Sequence, residues 1–248
     1  MDRPARRNAM SGEMLAGLAS ALADVERDPA VRCVVLTGAG GAFCAGGDVK
    51  GFAEGSASSG PSFDERVHNQ RLQQRAVSGV LWKMPKPTLA VLPGPAAGAG
   101  LSLALACDLR VAVEGAVITT AFAKVGFSGD YGGSWFLTQL VGAAKARELY
   151  YLSDRVDSAE ALRLGILNAV YPAASFEQEA GALARRLAEG PSIAYRYMKE
   201  NINRAMTEDL VECLDMEALH HLHCGTTEDH LESSKAFVEK RPPVFHGR

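Results

Sequence analysis

Two glycine-rich bends contain the residues of this sequence that are best suited to hold a reacting group through the main chain. The first lies in residues 33–48, where an apolar run leads into glycines at 38, 40, 41, 46 and 47 and ends at Asp48. The second lies in residues 87–108, where an apolar run leads through Gly98-Ala99-Gly100 into an apolar helix. An apolar run bounded by glycines is typical of a buried parallel strand that delivers a loop to the end of a sheet. N–H groups at a helix start are free to donate, so two such bends could direct two N–H groups at one carbonyl oxygen, as in an oxyanion hole.

The two bends do not match the glycine-rich motifs of other classes of protein. A dinucleotide-binding fingerprint would need Gly where Phe43 stands, and a phosphate-binding loop would need Lys where Leu101 stands. The sequence also has no Gly-x-Ser-x-Gly motif for a hydrolase nucleophile, because Ser102 is followed by Leu and Ala. Cys44 lies in the first bend, but no base is positioned beside it by sequence, so packing is the favoured interpretation.

Ordered motifs along nearly the whole chain are similar to those of one enzyme family. They are Arg3-Pro4, Asn8-Ala9-Met10, Phe43 to Asp48, Lys86-Pro87, Gly94 to Asp108, Gly132-Gly133, Thr227 to His230 and Ala236 to Arg241. On these motifs the sequence resembles the crotonase superfamily, the enoyl-CoA hydratases and isomerases. Family members usually have an apolar strand before the Arg-Pro pair, which here follows directly on Met1-Asp2. We therefore expect that strand to be absent or to lie upstream.

The resemblance implies an α/β fold, a spiral of ββα units, that acts on acyl-CoA thioesters. It implies that the N–H groups of Ala45 and Ala99 hold the thioester carbonyl. It also implies that the CoA moiety lies along Ala45, Gly46, Gly47 and Asp48, with Phe237 and Lys240 near its adenine and 3′-phosphate. CoA would be part of the substrate, so no separate cofactor and no metal is expected.

Hydratases of this family use two glutamates, and this sequence has neither. Alignment of the motifs places Ser102 and Phe122 at the two positions, and neither side chain can move protons at neutral pH.

Asp130 offers a substitute, because isomerases and dehalogenases of the family carry a carboxylate just before the Gly132-Gly133 pair. The pattern Phe122-x-Lys124-x-Gly126 resembles the isomerases of phenylacetate degradation. Aromatic neighbours would desolvate the Asp130 carboxyl and raise its pKa, which predicts a base for a proton-transfer isomerase.

Several alternatives stay open from the sequence. Asp130 could be only a turn residue. It could direct water in an enoyl-CoA hydratase, or act as the nucleophile in acyl-CoA hydrolysis or dehalogenation. The missing glutamates are also compatible with a CoA-thioester-binding subunit that has no catalytic activity.

Composition argues for a globular protein without bulk attraction to polyanions. The 248 residues are 47% hydrophobic and carry a formal net charge of −3, which favours neither nucleic acid nor anionic membrane as a partner. An odd count of five cysteines without a Cys-x-x-Cys pair predicts free thiols and a cytoplasmic location, and no run is long enough to span a membrane. The group His220, His221, His223 and Cys224 could suggest a metal, but helical packing is the favoured interpretation.

Alternation of strands and helices predicts the α/β core in residues 1–188, and an all-helical run predicts a separate C-terminal region in residues 189–248. The first crossover helix is expected over Ser11 to Asp28, and a long helix over Asp64 to Trp82. Asp48 is expected to cap a short helix through residue 52, and residues 55–61 read as a mobile surface loop that could form a lid. By analogy with the family, the C-terminal helices would build a homotrimer or a dimer of trimers.

Overall fold

The computed structural model describes residues 1–48 and 60–248, and its strands form two sheets. In chain order the strands are β1 (Val34–Thr37), β2 (Thr88–Leu92), β3 (Ala96–Ala97), β4 (Leu109–Val113), β5 (Val117–Thr119), β6 (Val156–Asp157) and β7 (Ala169–Tyr171). The first sheet has the order β1-β2-β4-β7 and every neighbouring pair in it is parallel. The second has the order β3-β5-β6, with a parallel and an antiparallel pair.

The chain winds as a spiral in which the first three turns each contribute to both sheets before a helix follows, and in the last turn α6 lies between β6 and β7. The pair β2 and β3 leads into a helix at Ala99, and the pair β4 and β5 precedes a long helix that begins at Gly133. In the first turn, β1 joins the first sheet and Cys44 forms an isolated parallel bridge with Ala96 of β3. This arrangement is the predicted spiral of ββα units.

The helices lie outside the sheets or follow them. In chain order they are α1 (Gly12–Arg27), α2 (Phe63–Gln74), α3 (Val80–Lys83), α4 (Ala99–Leu105), α5 (Gly133–Leu152), α6 (Ser158–Arg163), α7 (Phe176–Ala188), α8 (Ser192–Arg204), α9 (Leu210–Gly225) and α10 (Glu228–Glu239). A π-helical turn over Arg75–Gly79 joins α2 to α3. No helix in the described part of the chain combines the length and the apolar character needed to cross a bilayer.

Helix boundaries follow local sequence signals closely. Ser11 caps α1 by accepting a hydrogen bond from the N–H of Met14, and Asp28 ends it, as the predicted bounds required. The helix expected over Asp64 to Trp82 forms, but the π-helical turn interrupts it. The helix predicted after Asp48 and most of the loop predicted at residues 55–61 lie outside the described residues.

The core lies where the first sheet meets the glycine bends. Leu89, Ala90 and Leu92 of β2 are fully buried, as expected for a central parallel strand, and Phe43 and Cys44 are buried beside them. Residues 189–239 contain helices and no strand, in agreement with the helical run predicted for the C-terminal region, and residues 240–248 follow without regular secondary structure.

Lys199 of helix α8 forms hydrogen bonds close to the start of β2. Nζ of Lys199 donates to the carbonyl of Leu81 at 3.0 Å and to Oδ2 of Asp108 at 2.9 Å. The same Asp108 oxygen accepts from the N–H of Thr88 at 2.7 Å, at the first residue of β2. The C-terminal helices are therefore tied to the strand that leads into the second glycine bend.

Candidate active site

The second glycine bend presents the N–H of Ala99 at the start of α4. Gly98 precedes it with φ 51° and ψ −129°, a conformation that favours glycine. The hydrogen bond from the N–H of Ser102 to the carbonyl of Gly98 closes the first turn at 3.0 Å. The first N–H groups of a helix have no partner within it, and no acceptor for Ala99 occurs among the described residues. The structure thus leaves this N–H available, as the sequence predicts.

The first glycine bend corrects the choice of the second donor. The N–H of Ala45 donates to the carbonyl of Arg7 at 3.0 Å, so it is used inside the fold. The N–H of Gly46 is directed at the Cys44 sulfur, whose pKa it lowers. The N–H of Gly47, by contrast, has no partner within residues 1–48 and 60–248. The prediction that the N–H of Ala45 holds the thioester carbonyl is therefore wrong, because this N–H already donates to the carbonyl of Arg7 near the start of the chain.

The two bends meet at Gly46. Its φ is 91°, and a Cβ placed there would lie 2.9 Å from the carbonyl oxygen of Ala97 and 3.5 Å from the nitrogen of Ala99. Gly100 is equally confined, since a Cβ on it would lie 2.5 Å from the carbonyl oxygen of Cys44. No real Cβ is accommodated at such distances, so glycine at both positions lets the main chains touch. Gly46, which precedes Gly47 in the chain, thus lies against the residue whose N–H is free at the start of α4.

Cys44 is a packing residue. Its thiol donates to the carbonyl of Asn8 at 3.0 Å, and the residue is fully buried. Burial raises the pKa of the thiol to about 11, and the N–H of Gly46 lowers it only in part. A thiol with so high a pKa is a poor nucleophile near neutral pH, which agrees with the interpretation favoured by sequence.

The carboxyl group of Asp130 is both partly buried and incompletely hydrogen-bonded. Its Oδ1 is buried and makes no hydrogen bond among the described residues. Desolvation raises the pKa of this carboxyl to about 6. A buried acceptor without a donor is costly for an ionised group, so the carboxylate would gain by taking up a proton. The predicted desolvation of Asp130 is confirmed.

The segment around Asp130 has an unusual backbone. Gly129 and Gly132 have φ of 111° and 75°, and Tyr131 has φ of 50° although it is not glycine. The N–H of Gly133 donates to the Asp130 carbonyl at 3.1 Å, which starts α5. The turn interpretation of Asp130 is correct for its main chain, while Oδ1 of its side chain accepts no hydrogen bond from the residues that the structure describes.

A row of aromatic rings joins the Ala99 end of the site to Asp130. A Cβ on Gly98 would lie 3.8 Å from the ring of Phe122, and that ring stacks on Tyr150 with centroids 5.8 Å apart. The Tyr150 hydroxyl lies against Gly133, where a Cβ would stand 2.7 Å from it. Burial and the Asp130 carboxylate both raise the pKa of the Tyr150 phenol. The structure therefore brings Asp130 to the same end of the fold as Ala99.

Ser102 and Phe122, at the two positions of the family glutamates, are packing residues. Oγ of Ser102 donates back to the carbonyl of Gly98 at 3.3 Å and the residue is 1% exposed. Phe122 is buried in the aromatic row. Sequence reasoning missed Tyr150 and two glutamines, Gln73 and Gln74, that contact the Asp130 segment, because nothing in their local sequence marks them.

The remaining predicted site residues lie in different surroundings. Asp48 forms an ion pair with Arg3 at 3.2 Å, beside Gly46 and Gly47. Phe237 is 85% exposed at the end of α10, and Lys240 ends that helix with φ of 56°. Within the described residues no hydrogen bond joins these two to the glycine bends or to Asp130, so their role near CoA stays a prediction.

In the histidine-rich stretch of α9, the buried residue His220 packs against neighbouring side chains. Nδ1 of His220 lies 2.5 Å from Oδ1 of Asn201, and its ring stacks on Tyr197 with centroids 4.3 Å apart. The described residues contain no group of three or more His, Cys, Asp or Glu side chains arranged to hold a metal ion.

Comparison with known proteins agrees with this geometry. A model of the family named enoyl-CoA hydratase/isomerase matches residues 1–248. The chain is 36% identical over 253 residues to the 1,2-epoxyphenylacetyl-CoA isomerase of Escherichia coli (strain K12), covering 100% of this chain and 94% of that protein. It is 34% identical over 215 residues to 4-chlorobenzoyl coenzyme A dehalogenase-1 of an Arthrobacter species, covering 87% of this chain and 77% of that protein. The crystal structure of an enoyl-CoA hydratase from Bacillus anthracis matches with a TM-score of 0.90 at 32% identity, covering 99% of this chain and 93% of that chain.

The spiral of ββα units with two main-chain bends at one end is the crotonase fold, and the chain belongs to the enoyl-CoA hydratase/isomerase family. The family and fold predicted from sequence are confirmed. The three relatives carry the names of three different reactions, so family membership alone does not choose among them.

Proposed function

We propose that this chain is an acyl-CoA isomerase that moves a proton from one carbon of the acyl chain to another. The observation that carries the proposal is the Asp130 carboxyl, with a buried oxygen that lacks a donor in the described structure and a pKa raised to about 6. A base with a pKa near the working pH can both accept a proton and return it. The 36% identity to a 1,2-epoxyphenylacetyl-CoA isomerase supports the same reaction class.

The thioester carbonyl accepts hydrogen bonds from the N–H groups of Ala99 and Gly47. When Asp130 removes a proton next to the carbonyl, negative charge develops on the carbonyl oxygen, and the two donors stabilise the resulting enolate. Each donor of this kind is worth about 3 kcal/mol in the transition state. Asp130 then gives the proton to another carbon of the conjugated system, and the double bond moves.

Hydration is the less favoured reaction because it requires one group to activate water and another to protonate carbon. The positions at which the family's hydratases carry glutamates hold Ser102 and Phe122, and both are buried. Asp130 alone would have to serve both steps.

CoA is part of the substrate in this proposal, and no separate cofactor takes part. The CoA moiety follows Ala45, Gly46, Gly47 and Asp48, whose main chain leads away from the oxyanion hole. Phe237 and Lys240 stay candidates for the adenine and the 3′-phosphate.

We further propose that the C-terminal helices assemble a homotrimer or a dimer of trimers. Many of their apolar side chains are exposed in the single chain, which supports a partner surface. They are Met198, Ile202, Leu210, Val211, Leu214, Leu219, Leu222, Leu231, Phe237 and Val238.

A cytoplasmic location fits the cysteines, because all five have free thiols. Neither nucleic acid nor membrane is expected as a partner at a formal net charge of −3.

The reaction class is tested by offering the purified protein 3-enoyl-CoA and 2-enoyl-CoA in separate assays. We expect the 3-enoyl ester to gain the absorbance of a conjugated thioester, because the double bond moves into conjugation with the carbonyl. Loss of that absorbance from the 2-enoyl ester would indicate a hydratase instead. Binding of both esters without change in either would indicate a subunit that only holds CoA thioesters.

A further inference from the structure

Two consecutive glutamines at the end of α2 hold the residue that follows Asp130. Oε1 of Gln74 accepts the N–H of Tyr131 at 2.7 Å, and Oε1 of Gln73 accepts the Tyr131 hydroxyl at 3.0 Å. Tyr131 is 2% exposed, so both hydrogen bonds are shielded from water at one end. The main chain of Asp130 is thereby fixed on both sides, since its carbonyl also accepts the N–H of Gly133 at 3.1 Å.

These bonds restrain a backbone conformation that has an intrinsic cost. Tyr131 has φ of 50°, in the left-handed region that a non-glycine residue enters only at a cost in free energy. If the part-buried N–H of Tyr131 had no acceptor, folding would remove its hydrogen bond to water without replacing it, and this would add a further cost in free energy. The side-chain oxygen of Gln74 removes that cost. The conformation that aims the Asp130 side chain therefore depends on a residue more than fifty positions earlier in the chain.

The segment that carries the glutamines also touches the other half of the site. Gln74 is the last residue of α2, and the π-helical turn that follows it contacts α4, the helix that begins at Ala99. Val77 and Ser78 of that turn are buried, whereas α2 itself buries no residue. Single π-helical turns are frequent at functional sites. One short segment thus contacts the Ala99 helix and fixes the Asp130 loop.

We propose that Gln74, supported by Gln73, is a positioning residue that sets the place of the Asp130 carboxyl relative to the Ala99 amide. The inference rests on the isomerase function proposed above and names the residues that align its base. Gln74 itself touches neither the proton in transit nor the carbonyl oxygen. Its effect is on the rate of proton transfer and not on the affinity for the CoA moiety.

The test replaces Gln74 by Met and by Glu and measures isomerisation of 3-enoyl-CoA. Gln74→Met removes the acceptor at nearly constant length, and we expect kcat to fall about 10- to 100-fold with KM changed by less than about threefold, because a small displacement of a catalytic group is costly. Gln74→Glu keeps an oxygen for the Tyr131 N–H, so kcat should recover most of the loss when assayed above the pKa of both carboxyls. Gln70→Met, one turn earlier on α2, is the matched control and should behave as wild type.

A second variant separates positioning from folding. Tyr131→Phe removes only the hydroxyl that reaches Gln73, and kcat should fall about threefold to tenfold. Tyr151→Phe, at a tyrosine that is 73% exposed on α5, should leave kcat unchanged. Thermal unfolding of each variant shows whether the fold is retained.

The outcomes distinguish this inference from the function on which it rests. Wild-type protein without isomerase activity would remove both. An active wild type together with a Gln74→Met variant of unchanged kcat, or a Gln74→Glu variant no better than Gln74→Met, would overturn the positioning role alone. If Gln74→Met does not fold, an unchanged kcat in Tyr131→Phe would have the same consequence.

Discussion

The two halves of the candidate site are built in opposite ways. At Ala99 the functional group is a main-chain N–H. Its position is fixed because Gly46 and Gly100 allow two segments of main chain to pack against each other. At Asp130 the functional group is a side chain on a loop with left-handed residues, and the next residue, Tyr131, donates hydrogen bonds to glutamine side chains of α2. The first half gains its geometry from close packing, and the second from a few polar contacts that come from elsewhere in the chain.

In the proposed function, this difference assigns the thioester carbonyl to the main-chain half and the choice of reaction to the side-chain half. A main-chain donor does not depend on the side chain at its position, so the proposed oxyanion hole would serve many different thioesters. A side chain on a loop can be replaced without changing the main-chain contacts between the two glycine bends. Relatives named as an isomerase, a dehalogenase and a hydratase are compatible with a shared hole and a variable second half.

The largest expected effect comes from the side-chain half. Asp130→Asn removes the base but keeps the size of the residue, so we expect kcat for 3-enoyl-CoA isomerisation to fall about 10²- to 10⁴-fold. Binding of the CoA ester, measured by calorimetry, should survive because the oxyanion hole is intact. Asp154→Asn, at an exposed aspartate after α5, is the control. Undiminished turnover in Asp130→Asn would remove this residue from the mechanism.

The main-chain half should respond to loss of its hydrogen and not to a change of side chain. Ala99→Pro deletes the N–H at the first residue of α4, a position where proline is compatible with the helix, and should lower kcat about 10²- to 10³-fold. Ala159→Pro, in the first turn of α6, tests whether proline near a helix start is harmful by itself. Full activity of Ala99→Pro would exclude Ala99 as a donor.

The smallest expected effect is a pH dependence that belongs to the side-chain half alone. Asp130 must be ionised to accept a proton, and burial raises its pKa to about 6. The value of kcat/KM should therefore be level at neutral pH and fall about tenfold per pH unit well below the pKa. An aspartate with an ordinary pKa of about 3.9 would leave activity level to about pH 5. A pH–rate profile from acid to neutral pH distinguishes the two.

The fold was predictable where local sequence signals agreed with tertiary structure. Ser11 and Asp28 bound α1 as expected, because residues suited to the ends of a helix mark both positions in the sequence. Short strands were harder to predict, because β3 and β6 have two residues each and depend on their partners rather than on their own sequence. The π-helical turn within the predicted long helix has no local signature.

The site was predictable in part for similar reasons. Asp130 and Ala99 were chosen because they lie in glycine motifs that resemble those of the family, and the structure agrees in two respects: the N–H of Ala99 has no partner among the described residues, and the Asp130 carboxyl is desolvated. Ala45 was chosen wrongly because the direction of an N–H depends on its partner, the carbonyl of Arg7, which sequence does not reveal. Gln74 and Tyr150 contribute through contacts across long separations, so spacing along the chain could not identify them.

The oxygen of Asp130 without a donor in the described structure has a consequence for the energetics of folding. The folded chain holds a proton on this carboxyl more tightly than the unfolded chain does, since its pKa rises from the ordinary value to about 6. The contribution of this residue to the free energy of unfolding therefore declines as pH increases between those two pKa values and stays low above them. The protein therefore loses conformational stability over the same pH range in which the Asp130 carboxyl ionises and, in the proposed function, becomes able to accept a proton.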